Sequence, residues 1–383
     1  MHALTDGADR LLDTIGAARL PITLHSAEGA LLFDADGRTY WDFYGGHAVT
    51  LIGQCHPRWI EAITRQARTL SFFTTLGDVA VRQRAADALC RFTGADACWF
   101  VNSGAEANEA ALKIARKATG RPVIVAMVNG FHGRSMGALG VTWGYRDQHA
   151  PAHGEVRFVP FGDLDALDAA LDDTVAAVVT EPIQGMAGVV VPPAGWLAAV
   201  HERCRANGSL LVCDEIQSGL GRTGSPLAST SMGVQADLVT VGKGLGGGFP
   251  VAALLLTDAM RATVKPGEHG TTFGGAPLAC AAVEVTLSIL EEEGLLAKAR
   301  ALGEQMKAEL RAPGVREVRG AGAWIGLVLD RPAKPVAARL LELGFLVGTS
   351  SDPHAMRLAP PAVMPGHAVT ELARALETAL ETT

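Results

Sequence analysis

The chain has 383 residues, 48% hydrophobic and 19% charged, enough for one large globular domain and a smaller one. Its formal charge of −7, with Lys and Arg scattered rather than clustered, argues against a nucleic-acid or polybasic membrane partner and leaves small substrates, anionic ones included. No run of about 18 apolar residues occurs, and the opening MHALTDGADRLLD lacks a basic stretch followed by an apolar one, so neither a membrane span nor a leader is expected and a cytoplasmic location is.

Between Arg19 and Phe43, short apolar runs alternate with turn signals at Glu28-Gly29 and Asp34 to Gly37, which predicts edge strands and hairpins. Helical spacing follows in HPRWIEAITRQARTL and again in DVAVRQRAADALCRF. ACWFV (Ala97 to Val101) reads as a short buried strand, and NSGAEANEAALKIARKATG as a helix that opens through Asn102, Ser103 and Gly104. Small polar residues between a strand and a helix offer free N–H groups and a positive dipole end to an anion. PVIVAMV, TVAAVVTEPIQ, SLLVCDE, DLVTVGK and VAALLL, with a helix near Gly195 to Asn207, predict a mostly parallel α/β sheet with ligands at the strands' C-terminal ends. Beyond Thr271 come two long helices starting at Pro277 and Leu295, a hairpin in VREVRGAGAWIGLVLD, a helix, a strand holding Met356-Arg357-Leu358 and a last helix. The six cysteines, Cys55, Cys90, Cys98, Cys204, Cys213 and Cys280, fall singly, with no CxxC pair or short-spaced His cluster to frame a metal, and read as reduced core thiols.

Two residues stand out for chemistry. Lys243 sits between glycines directly after an apolar run, with no core to pack into and no ion partner beside it in sequence. Asp214 ends SLLVCD, so both reach the same edge of the sheet. An amine that forms an imine needs a lowered pKa, and an imine-linked pyridine ring draws electrons only while a nearby carboxylate keeps its nitrogen protonated. Asp214 is the candidate for that carboxylate. Gly242 to Gly247 also fits GxGxxG, but Phe249-Pro250 and VAALLL follow at once, predicting a turn into a strand instead of a dinucleotide-binding helix. Ser103, Gly104 and Ala105 form a candidate phosphate cradle. Phe131 is either a plate for an aromatic cofactor or a core side chain, and Arg134 is a planar donor fork suited to a carboxylate.

NSGAEANEAALKIARK, GFHGR, EPIQG, LLVCDEIQSGLGRTG, GKGLGGGFP and HGTTFGG, in this order, resemble the class III pyridoxal-phosphate aminotransferases, closest to their acetylornithine and ornithine aminotransferase branch, over nearly the whole chain from about Pro21. The resemblance implies a fold-type I α/β transferase. Its large domain, 46–275, would carry a mostly parallel central sheet flanked by helices, and both chain ends, 1–45 and 276–383, would build a smaller α+β domain. It further implies pyridoxal 5'-phosphate as cofactor, Lys243 as Schiff-base lysine and proton shuttle, and Asp214 as partner of the pyridine nitrogen. Ser103, Gly104 and Ala105 would hold the phosphate, Phe131 would cover the ring, and Gln217 would approach the ring hydroxyl. Thr272 corresponds to a threonine reaching the phosphate from the other subunit, which implies a homodimer with shared active sites. Arg134 and Arg357 would bind substrate carboxylates, with His47, Glu181 and Thr271 completing the substrate set. For Glu181 a plain strand-end role, and for His47 a packing role, read equally well.

The implied reaction is ping-pong transamination between a donor (N-acetylornithine, ornithine or a related ω-amino acid) and 2-oxoglutarate, a step in amino-acid metabolism. Aminomutase or decarboxylase chemistry on the same fold is the alternative, and a non-catalytic or nicotinamide-binding Rossmann-like protein stands further off. Four positions depart from the branch: Met186 where relatives read EPIQGE, His47 in the pocket, Gln54 in place of His, and Ala276 in place of Asn. Met186 removes a glutamate that neutralises the second arginine, so Arg357 is expected to stay open to an α-carboxylate, weakening strict ω-amino selectivity.

Overall fold

The computed structural model describes residues 19–146 and 154–383. The reading of MHALTDGADRLLD lies outside the described residues. Strands β1 (Leu24–Glu28), β2 (Leu31–Asp34) and β3 (Thr39–Asp42) form an antiparallel meander. Gly29 turns the first hairpin at φ 56°, and Asp34 Oδ1 closes the second by accepting the N–H groups of Asp36 and Arg38 at 3.0 and 2.8 Å.

The large sheet is built from β4 (Ala97–Val101), β5 (Val123–Met127), β6 (Val156–Val159), β7 (Val175–Thr180), β8 (Leu210–Asp214), β9 (Leu238–Val241) and β10 (Ala252–Leu256). Their order is β4-β10-β9-β8-β7-β5-β6; β5 to β9 run parallel, and β10 alone is antiparallel to both its neighbours. Every residue of β5, β7, β9 and β10 is buried, because helices cover both faces. Along β5 the side chains part alternately: Val123, Val125 and Met127 join a core with Trp196 and Leu197, whereas Ile124 and Ala126 pack with Ala111 and Ile114 of the helix Gly104–Thr119. β4 differs from its expected burial. It is an edge strand, and Ala97, Cys98 and Trp99 keep partial exposure.

The C-terminal third supplies β11 (Val315–Gly320), β12 (Ile325–Leu329), β13 (Phe345–Leu346), β14 (Gly348–Thr349) and β15 (Ala355–Leu358). Four of these make an antiparallel sheet ordered β11-β12-β15-β14, while β13 crosses to pair in parallel with β3 through Phe345 and Trp41. The two chain ends thus share one sheet. Of the six free cysteines only Cys204, Cys213 and Cys280 are buried; Cys55 is exposed and Cys90 and Cys98 are intermediate, so the core reading fails for half of them. No helix among the described residues is long and apolar enough to cross a membrane.

Parallel strands send their C-terminal ends to one edge. There Asn102 follows β4, Phe131 follows β5, Glu181 follows β7, Asp214 ends β8 and Lys243 follows β9.

Candidate active site

Asp214 is 4% exposed and fully engaged. Its Oδ2 accepts from Asn108 Nδ2 at 2.8 Å and meets His132 Nδ1 at 2.8 Å, while Oδ1 accepts the Ile216 N–H at 3.0 Å. Burial alone would raise the Asp214 pKa, but the hydrogen bond and charge of His132, then Ile216 and Asn108, outweigh it and hold the carboxyl below its ordinary value. For His132 burial pushes down and Asp214 pushes up, and the imidazole ends above its ordinary value. Asn108 is itself fixed: it donates to the His132 carbonyl at 2.7 Å and accepts from Thr240 Oγ1 at 2.8 Å.

Lys243 has a left-handed backbone, φ 43°, at a short 3-10 turn (Lys243–Gly246) that leads into β10. No helix of the kind a dinucleotide fingerprint requires follows it. A non-glycine residue in this region costs about 1–2 kcal/mol, and such strain concentrates at functional sites. Burial lowers the Lys243 pKa, Asp214 and Glu181 raise it, Arg357 lowers it, and the amine ends below its ordinary value. The charges that act on Lys243 therefore come from other strands. Glu181 is buried with both oxygens occupied, accepting the Phe131 N–H at 3.0 Å and the Gly185 N–H at 2.9 Å; burial holds its pKa high.

Asp214, His132, Lys243 and Glu181 line a cavity of about 390 Å³ together with Gly104, Ala105, Phe131, Arg134, Met186 and Gln217. On one side stands the N-terminus of Gly104–Thr119. Ser103 caps it, its Oγ accepting the Glu106 N–H at 3.3 Å, and Glu106 reaches back to the Asn102 N–H at 2.7 Å. The N–H groups of Gly104 and Ala105 belong to the first turn and have no intrahelical partner. A Cβ on Gly104 would come within 2.6 Å of Ile216 Cδ1, so the close approach of helix and strand needs glycine.

At the mouth, the Arg134 guanidinium lies 4.4 Å above the Tyr145 ring, which meets Phe131 edge-on at 5.8 Å. His47 lines the cavity from a left-handed run, Gly45 to Ala48, its ring 4.7 Å from Tyr44 and its carbonyl accepting from Gln217 Nε2 at 3.4 Å. Burial first, then the charges of Arg357 and Lys243, push the His47 pKa down to about 4, so the imidazole is neutral at physiological pH. Arg357, on β15, is 6% exposed, and its Nε donates to the Thr349 carbonyl at 2.7 Å.

Two threonines singled out from the sequence stay apart from this cavity. Thr271 Oγ1 accepts from Asn102 Nδ2 and the Gly274 N–H, both at 3.2 Å, and Thr272 is exposed. Gln54 exchanges backbone hydrogen bonds with Gly29, and Ala276 precedes the helix Pro277–Glu292. Sequence reasoning missed His132, Asn108 and Tyr145. His132 lay in plain view in GFHGR, but its partner is 82 residues away. Asn108 could be noticed only as a polar residue on the alanine-rich buried face of its helix.

A family model described as aminotransferase class-III matches residues 15–380. The chain belongs to the class III aminotransferases. Curated relatives include an acetylornithine aminotransferase of Mycobacterium tuberculosis, 45% identical over 353 residues that cover 90% of this chain and 88% of the relative. Another, from Mycolicibacterium smegmatis, is 45% identical and covers 94% of each chain. Among solved structures, an ornithine aminotransferase of Toxoplasma gondii superposes with a TM-score of 0.92 at 33% identity, covering 97% of this chain and 94% of its own. A second structure of the Toxoplasma gondii enzyme carries pyridoxal phosphate at partial occupancy in its active site. An acetylornithine aminotransferase of Elizabethkingia anophelis matches with a TM-score of 0.84 at 29% identity, over 99% of this chain and 97% of its own. This class III chain is therefore an aminotransferase, and its substrates are small amino and oxo acids.

Proposed function

We propose that this class III aminotransferase moves an amino group from an amino acid to a 2-oxo acid such as 2-oxoglutarate, with pyridoxal 5'-phosphate as its cofactor. The observation that carries this reading is the convergence of Lys243, Asp214 and a free helix N-terminus on one cavity.

The residues fit the cofactor's chemistry. An anion suits the first-turn N–H groups of Gly104 and Ala105 beside Ser103. A protonated ring nitrogen suits Asp214, which His132 and Asn108 keep ionised and oriented. Phe131 offers an apolar cover, Gln217 a polar edge, and Lys243 an amine of lowered pKa to carry the aldehyde. When bound, pyridoxal phosphate supplies an aldehyde that exchanges with amines and a protonated ring that takes up an electron pair.

The chain's own residues do the rest. Lys243, its pKa lowered by burial, accepts and returns the proton of the substrate carbon that bears the amine. Arg134 and Arg357 orient carboxylates, and neutral His47 adds no competing charge. Donor and acceptor use one cavity in turn, which is the basis for ping-pong kinetics. Glu181, with both oxygens on backbone N–H groups, steadies Phe131 and the turn at Gly185. The reading includes a cytoplasmic homodimer in which Thr272 serves the neighbouring subunit, and a domain division into 46–275 and the two chain ends, supported by their separate sheets.

The test is glutamate formation from N-acetylornithine, ornithine or alanine with and without 2-oxoglutarate. Transfer should require the acceptor, follow parallel-line initial-rate kinetics and vanish in Lys243→Ala. Borohydride treatment of the loaded protein should fix the cofactor onto Lys243 alone, read by peptide mass. Product formed beyond one equivalent per site without an acceptor, or no cofactor uptake, would sink the proposal.

A further inference from the structure

Four consecutive residues, Gly45, Gly46, His47 and Ala48, have φ of 59°, 56°, 63° and 70°, a full turn of left-handed backbone, and His47 within it lines the cavity. Glycine takes this conformation freely, but the Cβ atoms of His47 and Ala48 crowd the following carbonyl oxygens there, and such strain persists only where the surroundings overdetermine it. At the start of the turn, Asp42 Oδ1 accepts the Tyr44 N–H at 3.1 Å and the Gly45 N–H at 2.7 Å. A Cβ on Gly45 would overlap the Ala359 carbonyl oxygen, so the C-terminal part of the chain presses directly on the turn. At its end, two successive carbonyls are held from one loop: Gln217 Nε2 donates to His47 at 3.4 Å and Arg222 Nη2 to Ala48 at 3.3 Å. That loop runs on from Asp214.

Arg222 is 1% exposed, and its hydrogen bonds among the described residues go to backbone carbonyls, from Nη1 to Ala323 and Pro360 as well as from Nη2 to Ala48. Burial pushes its pKa down to about 9, with the charge of Asp42 opposing, so it remains a cation at neutral pH. One guanidinium fork thus joins the left-handed turn, the loop after β8 and two segments of the C-terminal part. Residues at or beside its acceptors, Ala48, Trp324 and Ala359, pack with Ile183 and Val189 as one small core. A Cβ on Gly322 would overlap the backbone of Arg222 and Thr223, so this junction is closed without slack. A buried ion is a weak source of stability, and the directional donors of a guanidinium fix geometry instead.

From this, and resting on the transamination reading above, we infer that Arg222 is a positioning residue for the reaction: it holds the turn that carries His47 against the loop that carries Asp214, so that the cavity wall formed by His47 keeps a fixed spacing from the buried carboxylate. Arg222 touches neither substrate nor cofactor and acts through His47. Without the fork, the Ala48 carbonyl loses its donor and the strained turn relaxes toward ordinary backbone, which carries the imidazole off the wall. Asp214 keeps its own partners, His132, Asn108 and the Ile216 N–H, so cofactor binding is the function least affected. The loss falls on the fit of the amino and oxo acids.

The experiment measures KM and kcat for the best amino donor and for 2-oxoglutarate, cofactor affinity by equilibrium dialysis, and the thermal midpoint, in wild type, Arg222→Met, Arg222→Lys and Gly45→Ala. Arg222→Met should raise both KM values by about tenfold, with kcat changed less and cofactor affinity within about twofold of wild type. Arg222→Lys keeps the charge, but its single nitrogen cannot reach carbonyls on every side, so most of the KM rise should remain. Gly45→Ala strikes the same turn from the opposite face and should raise KM likewise, which keeps the test open if Arg222→Met does not fold. Leu376→Ala, a cavity in the last helix far along the chain, should lower the thermal midpoint and leave KM alone. Because Arg222 acts through His47, the KM rise of Arg222→Met with His47→Ala should stay within about twofold of the larger single effect. A lost midpoint with wild-type KM in the Arg222 variants, full recovery of KM in Arg222→Lys, or effects of Arg222→Met and His47→Ala that multiply would overturn the inference. Wild type that transfers from no donor would overturn instead the transamination reading beneath it.

Discussion

His132 does more for the site than its place in a glycine-rich loop suggests. It joins a fully buried carboxylate at 2.8 Å, and removing one partner of such a pair costs about 3–5 kcal/mol because the other is left charged without compensation. The Asp214 pKa lies below 3.8, so its share of the stability is present above that pH and is lost as pH falls through the lower folded value. The His132 pKa lies above 6.5, so its share is present below that pH and is lost as pH rises through the higher folded value. The stability gap between wild type and His132→Asn should therefore be widest between 3.8 and 6.5 and shrink on either side, read by denaturant unfolding across pH. A gap that stays constant with pH would show that the pair contributes no titratable charge.

At the scale of elements, the helix Gly104–Thr119 is anchored and functional through the same first turn. Its buried face is alanine-rich, its start is capped by Ser103, and Gly104 and Ala105 of its first turn line the cavity. Gly104 separates the two roles. Alanine is the better helix former by about 1 kcal/mol, so Gly104→Ala should not weaken the helix, yet its Cβ would force Ile216, the neighbour of Asp214, out of place. Cofactor affinity by equilibrium dialysis should drop while the thermal midpoint holds or rises. Ser103→Ala should show the reverse emphasis, costing about 1 kcal/mol of stability with the cap. Equal behaviour of the two variants would mean that the cradle and the cap are one feature.

The whole molecule carries an apolar area that its own fold leaves open. Leu76 is 94% exposed, Phe273 60% and Phe73 46%, and the rings of Phe72 and Phe273 meet at 5.4 Å. Arg82 stitches the two loops together, donating to the carbonyls of Phe73, Thr74, Gly77 and Gly275. The second loop also presents Thr271 and Thr272. Large apolar side chains grouped on a surface mark an interface. In the proposed homodimer this area is where the copies meet, so Leu76→Asp with Phe273→Asp should halve the mass seen by sedimentation and lower cofactor retention at the same time. A monomer that keeps its cofactor fully would separate dimer contact from site assembly.

The sequence by itself determined most of the large sheet's strands and their order along the chain, while β6, β13 and β14 were not legible in it. The Val-rich runs of β5, β7 and β9 read as buried strands, Gly29 and Asp34 mark the turns of the β1–β3 meander, Ser103 with Glu106 starts a helix, and Phe249-Pro250 forbids one after Lys243. Each of these signals acts within a few residues, where backbone sterics and side-chain periodicity decide the outcome. Only the tertiary structure decided that Cys55 is exposed, that β4 lies at an edge, and that Asp214 shares its charge with His132 and Asn108, 82 and 106 residues distant. It alone set Arg357 against the Thr349 carbonyl. Charge compensation in a buried site depends on which strand ends meet across the sheet, and no local pattern records that meeting.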